Sequence, residues 1–118
     1  YGIRSVYDGR YRYIVNLTPE ATFQNVETKS PLFKEWKSLA ETDSHAKAMT
    51  TKYQHRPAIE LYDVKNDPYC MKNLAEDAKQ ASTISRLDKE LKRWMKDCGD
   101  EGQPTEMRAF EHMPGKRK

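Results

Sequence analysis

The dipeptide Asp8-Gly9 stands between two runs of period-two alternation, residues 3–7 and 10–17, and no other feature of this chain restricts its fold as much. Asp-Gly tolerates positive φ at both central positions of a type I′ turn, so the spacing predicts a β-hairpin. Tyr11, Tyr13, Val15 and Leu17 fall on one face, and Arg10, Arg12 and Asn16 on the other, with Ile14 among them. That is the pattern of an antiparallel sheet with a core under the tyrosines and one wet side.

A third strand is expected at residues 58–64, after Pro57, where Leu61 and Tyr62 suit a half-buried position. Asn66-Asp67-Pro68 then stops it: Pro presets φ and Asp caps locally. Asn73-Leu74-Ala75 leads into helical spacing. Ile84, Leu87, Leu91, Trp94, Met95 and Cys98 recur at steps of three and four, which predicts one amphipathic helix from about residue 77 lying over the dry face of the sheet. Gly99 suits its left-handed cap.

Between the hairpin and the third strand the pattern changes. Residues 18–28 carry neither period and include Pro19, which reads as a loop. Ser30-Pro31 offers an N-cap and a favourable first helical residue. Leu32, Phe33, Trp36, Leu39 and Ala40 follow at helical spacing, and Asp43-Ser44 can close that helix and open another through Ala46, Ala48 and Met49. The fold expected is α+β: an antiparallel sheet of about four strands packed by a long C-terminal helix, with a helical insertion between strands. Residues 1–118 read as a single domain, its last part, 103–118, a partly ordered tail anchored by Met107 and Phe110.

Size and composition bear on how well such a domain closes. At 118 residues, one domain burying roughly 65% of its unfolded surface is expected. Leu, Ile, Val and Phe number only 18, which suggests a thin core that leans on a larger body and leaves apolar surface for self-association of the isolated piece. The start at Tyr1, straight into strand pattern, reads as a segment of a longer chain. No apolar run is long enough to span a membrane. Cys70 and Cys98 lack the spacing of a zinc site.

The chemistry-bearing residues are sparse. Arg4, Arg10 and Arg12 interleave with Tyr7, Tyr11 and Tyr13, which resembles a face for single-stranded nucleic acid, but a net charge of +3 is far from strongly basic, so a solvated face is favoured. The Lys116-Arg117-Lys118 end reads as a solvated tail. His45, His55 and His112 stand apart from any nucleophile motif. Asn16-Leu17-Thr18 is formally a glycosylation sequon, followed by Pro19. In Gly99-Asp100-Glu101-Gly102, a carboxylate between two glycines could accept hydrogen bonds from sugar hydroxyls, or simply form an acidic turn.

Arg4-Ser5-Val6, Asp8-Gly9-Arg10-Tyr11-Arg12-Tyr13-Ile14, Glu60-Leu61-Tyr62-Asp63, Asp67-Pro68 and Asn73-Leu74-Ala75 occur in an order that resembles the C-terminal subdomain of formylglycine-dependent sulfatases. Asn16-Leu17-Thr18-Pro19, the helical insertion, Trp94-Met95 and the Gly-Asp-x-Gly turn are most similar to the heparan N-sulfatase (sulfamidase) branch. The resemblance implies a parent enzyme that removes sulfate from a sugar through a formylglycine hydrate assisted by calcium, both belonging to an N-terminal catalytic domain. That domain and a sulfated saccharide would be the partners, with no nucleic acid and no membrane, in a periplasmic, extracellular or lysosomal setting. It also implies that Asp100 is the substrate-binding residue here.

The pattern departs from the family in two places. Cys70 stands where the family usually has Glu, two residues after Asp-Pro. The nucleophile motif needs Cys or Ser followed by x-Pro-x-Arg, whereas Cys70 precedes Met71-Lys72-Asn73 and Cys98 precedes Gly99-Asp100-Glu101. No catalytic residue and no metal ligand is therefore assigned, and the isolated chain is expected to be inactive. The rival class is a stand-alone binding module for an anionic polymer, nucleic acid or glycosaminoglycan, that uses the hairpin arginines.

Overall fold

The structure, a computed structural model, describes residues 1–114. The chain forms two compact units. One comprises Gly2–Leu17 and the chain from Ala58 onward, and the other comprises Thr18–Pro57 with Tyr1.

In the first unit, β1 (Ile3–Tyr7), β2 (Tyr11–Asn16) and β3 (Ile59–Asp63) make an antiparallel sheet in the order β1-β2-β3. Val6 faces Tyr13 and Tyr13 faces Leu61, which sets one apolar row across all three strands. Helix α3 (Ala81–Asp97) covers that row. Tyr13, Leu61, Leu87 and Leu91 are almost fully enclosed, with Val6, Tyr11, Val15, Ile84 and Met95 packed around them. Each such side chain contributes about 1.5–3 kcal/mol by leaving water. Tyr13 keeps its polar end satisfied by donating to Asp88 at 3.0 Å, and burial, followed by this bond, pushes its phenol well above the ordinary tyrosine range.

The hairpin forms, but its turn differs from the expected type I′. Only Gly9 has positive φ, at 99°, and the pairing Tyr7↔Arg12 puts Gly9 and Arg10 at the centre, the glycine-first arrangement. The cause is the Asp8 carboxylate, whose Oδ1 accepts from the backbone N–H of Arg10 (2.9 Å) and Tyr11 (2.7 Å) and so holds Asp8 outside the tight centre.

Three strands form among the described residues, not about four. After Asp63 the chain turns immediately: Asp67 N–H bonds the Asp63 carbonyl at 2.7 Å. Beyond that turn, residues 73–74 close the edge of β3. Asn73 Oδ1 accepts from Leu61 N–H at 2.9 Å, its amide donates to the Ile59 carbonyl at 3.3 Å, and Leu74 N–H bonds the Leu61 carbonyl at 2.8 Å. One side chain thus imitates a strand and blunts the free edge of β3.

The second face of the sheet also corrects the sequence reading, which made it wet. Asn16, Glu60 and Tyr62 are buried there, at 3%, 4% and 3% exposure. Glu60 accepts from the Asn16 amide at 2.7 Å and the Tyr62 hydroxyl at 2.6 Å. Polar residues that satisfy one another can be buried while alternating as a solvated face would. The sequon asparagine is accordingly enclosed. Arg12, on the same face, is exposed and lies over the Tyr7 ring.

The second unit is a pair of helices, α1 (Pro31–Leu39) and α2 (Ser44–Gln54), preceded by a loop and a short 3-10 turn at Glu27–Lys29. Ser30 caps α1 by accepting from Phe33 N–H (3.1 Å), and Asp43 caps α2 by accepting from Ala46 N–H (2.7 Å), as the sequence predicts. Its interior is aromatic: Tyr1, Phe23, Tyr53 and Phe33 meet in succession at centroid distances of 5.4, 5.7 and 5.5 Å. Leu32, Trp36 and Leu39 were expected to bury one helical stripe. They lie on the open side of α1 at 50–55% exposure, and of that stripe only Phe33 is enclosed.

Candidate functional site

The turn that ends α3 is built by its own backbone. Gly99 takes φ 73°, its N–H bonds the Lys96 carbonyl (3.2 Å), and Asp100 N–H bonds the Met95 carbonyl (2.8 Å). This is a Schellman cap, and it turns the Asp100 side chain back toward the sheet. Trp94 and Cys98, placed on the dry stripe by their spacing, lie on the exposed side of this helix end.

Asp100 meets Arg4, the second residue of β1. The guanidinium Nε donates to Asp100 Oδ2, Nη2 donates to Oδ1 at 3.1 Å, and Nη1 donates to Glu106 Oε1 at 2.6 Å. Gly102 N–H adds a bond to Asp100 Oδ1 at 2.8 Å. The Asp100 side chain is 10% exposed and that of Arg4 is 14%. Arg4 is opposite Val15, hence on the face that α3 covers, where a guanidinium needs carboxylates around it. The pairing with Asp100 lowers the carboxyl's pKa against the opposing effect of burial, and it raises that of Arg4. Both groups stay charged.

A groove of about 460 Å³ opens beside this turn, lined by Lys92, Met95, Lys96, Gly99, Asp100 and Glu101. Lys92 is bound to Asp88, whereas Lys96 makes no side-chain bond among the described residues. Two ammonium groups and two carboxylates on one wall can hold hydroxyls and an anionic substituent together. The tail beyond it is more regular than expected. Helix α4 (Gln103–Met107) and a 3-10 turn at Ala109–His112 follow, tied down by Arg4–Glu106 and by Arg108–Glu101. Met107 and Phe110, expected as its apolar anchors, are 72% and 67% exposed. The Lys116-Arg117-Lys118 end and the side chain of His112 lie outside the described residues.

The other sequence-derived residues disperse. Arg10 binds Asp63 through Nε and Nη2, the shortest contact 2.7 Å, so the hairpin arginines serve internal contacts: Arg4 and Arg10 hold carboxylates and Arg12 lies over a ring. Cys70 sits in the left-handed region at φ 52°, in a loop whose Asp67 carboxylate accepts from Met71 and Lys72 N–H. Neither Cys70 nor Cys98 forms a disulfide among the described residues. Among the described residues no group of three or more His, Cys, Asp or Glu is placed to hold a metal ion. No helix among them is long and apolar enough to cross a membrane.

No family model matches the chain. Two curated proteins of Formosa agariphila do, both described as ulvan-active sulfatases. One is 33% identical over 108 residues, covering 88% of this chain, and the other 32% identical over 97 residues, covering 82%. The chain spans 18% of the length of each. Over most of its length the chain is thus similar to a segment of each of these two sulfatases.

Proposed function

We propose an accessory role for this chain, which is similar to sulfatases over most of its length: it is the C-terminal subdomain of a sulfatase and shapes the pocket in which a sulfated sugar is held. The observation that carries this is the Asp100 turn, a charged carboxylate fixed by the Arg4 fork at the mouth of a groove that also presents Lys92 and Lys96. Likeness to sulfatases over most of the chain supports the class of parent enzyme.

The division of labour follows from the residues present. On this reading hydrolysis of the sulfate belongs to a separate catalytic domain that supplies the formylglycine and calcium, and the isolated chain turns over no sulfate ester. Asp100 contributes specificity. Held rigid, it accepts hydrogen bonds from sugar hydroxyls and rejects a ring whose oxygens carry sulfate, through like charge and lost bonds together. The substrate is a unit of an anionic sulfated polysaccharide; ulvan, for which the relatives are named, and N-sulfoglucosamine of heparan type, which the motifs resemble, are the two to compare. The setting is periplasmic, extracellular or lysosomal.

The test is made in the full-length parent. Asp100→Ala should lower kcat/KM for the sugar sulfate by roughly 10-fold to 100-fold, the loss of one or two bonds to a charged group, and leave a small aryl sulfate unaffected. Equal loss on both substrates would refute the specificity role, and turnover by the isolated chain above a blank would refute the accessory one.

A further inference from the structure

The helical unit carries a second groove, remote in sequence from the Asp100 turn. It measures about 450 Å³ and lies between α1 and α2, walled by Lys37, Glu41, Lys47, Thr51, Gln54 and His55. Lys37 comes from one helix and Lys47 from the other, so two ammonium groups face one space. Lys37 donates to Gln54 Oε1 at 3.0 Å, which leaves the Gln54 amide N–H₂ turned to other partners. Lys47, Thr51 and His55 make no side-chain hydrogen bond or ion pair among the described residues, so their donors are available.

A smaller apolar groove of about 300 Å³ adjoins it and shares Thr50, with Trp36, Leu39 and Met49 on its walls. Trp36 is half exposed. Hydrogen-bond donors and an acceptor close to an accessible indole are the parts a pyranose requires: ammonium groups for an anionic substituent, a carboxylate to accept from hydroxyls and an amide to donate to them, and an aromatic for the apolar sugar face. Glu41 repels the anionic group of either ligand class, so what it can gain is a hydrogen bond from a hydroxyl set beside that charge, as on a sugar ring.

We propose that the α1–α2 groove is a second, non-catalytic binding site for a sulfate-bearing or carboxylate-bearing saccharide, one that holds the polymer while the parent enzyme acts elsewhere on it. The assignment rests on the reading of the parent as an enzyme of sulfated polysaccharides. Its measurement does not depend on turnover, so the two can fail separately.

Backbone amide shifts of the whole chain are followed by NMR during titration with glucose 6-sulfate, glucuronate, glucose, inorganic sulfate and a single-stranded oligonucleotide. Saturable shifts at Lys37, Lys47, Thr51 and His55 with the two anionic sugars, larger than with glucose or sulfate, are expected. The double variant Lys37→Gln/Lys47→Gln should weaken that binding roughly 10-fold or more, Lys37→Arg/Lys47→Arg should restore most of it, and Lys92→Gln/Lys96→Gln should not alter it. Absence of shifts at these amides would overturn the site even if the parent removes sulfate from a sugar. Inorganic sulfate binding as tightly as the sugars would reduce it to an oxyanion site, and tighter oligonucleotide binding would replace the ligand class. A parent inactive on every sulfated sugar, with the shifts intact, would remove the enzymatic reading and leave the groove.

Discussion

The two units reach order by different means. The sheet unit closes a small aliphatic and tyrosine core under α3, blunts its free edge with Asn73, and fixes its chain ends through Arg4. The helical unit has well-capped helices and a chain of aromatic contacts, yet it leaves Leu32, Trp36 and Leu39 on an open flank. Strand pairing obliges a sheet to satisfy its faces and edges within the domain, whereas a helix satisfies its own backbone and can leave a stripe available for other molecules. One unit reads as scaffold and the other as surface.

The largest test of that contrast compares core with flank. Leu87→Ala should destabilise the sheet unit by about 3 kcal/mol through lost burial and a residual cavity. Leu39→Ala should cost under about 1 kcal/mol, because that side chain is already half in water. The two tryptophans allow separate readout: in a Trp36→Phe background, Trp94 fluorescence reports the sheet unit, and in a Trp94→Phe background, Trp36 reports the helices. Urea transitions of equal size for both substitutions would break the distinction.

Next in size is the tie between β1 and the turn after α3. Arg4→Ala leaves Asp100 and Glu106 facing each other with no cation, and the expected loss is roughly 2–3 kcal/mol. Hydrogen exchange should quicken at residues 100–107 before it does in β2. Arg4→Lys keeps the charge without the two-pronged geometry and should recover only part. A uniform rise in exchange across the unit would show that Arg4 supports the core generally and not the turn.

Local grammar was the legible part of this chain. Ser30, Asp43 and Gly99 act where their chemistry says, since a cap needs only neighbours in sequence. What sequence left hidden lies in pairs far apart along the chain. Arg4 and Asp100 are separated by 96 positions, and Arg4 read as one of three surface arginines. Its parity was the available signal, because it shares a face with Val6 and so points at the core. Asn16, Glu60 and Tyr62 fail for the converse reason: their alternation is that of a wet face, and only contact among themselves makes burial affordable. Strand-like side-chain bonding by Asn73 has no period at all, so nothing in the pattern announced how the edge of β3 is closed. The Asp100 turn was found as a motif; its place beside Arg4 and Glu106 was not.

The smallest expected effect concerns acid, and it falls on the sheet unit. Asp8, held first by Arg86, and Asp63, held first by Arg10, both titrate at about 2 in the folded chain, below the usual carboxylate range near 4. A folded-state pKa depressed in this way contributes stability that is complete above about 4 and disappears as pH falls through about 2. Asp100, lowered by Arg4, adds in the same direction. Stability read by Trp94 fluorescence should therefore be level from pH 7 to about 5 and decline between about 4 and 2. Asp63→Asn should make the decline shallower, because one proton fewer is taken up on unfolding. The arginine ends of both contacts are about half exposed, which lets salt weaken them, so 0.5 M NaCl should flatten the same slope. A slope unchanged by either would assign the acid sensitivity to carboxylates outside the Arg10 and Arg86 pairs and remove these ties from the account of why the hairpin holds its register.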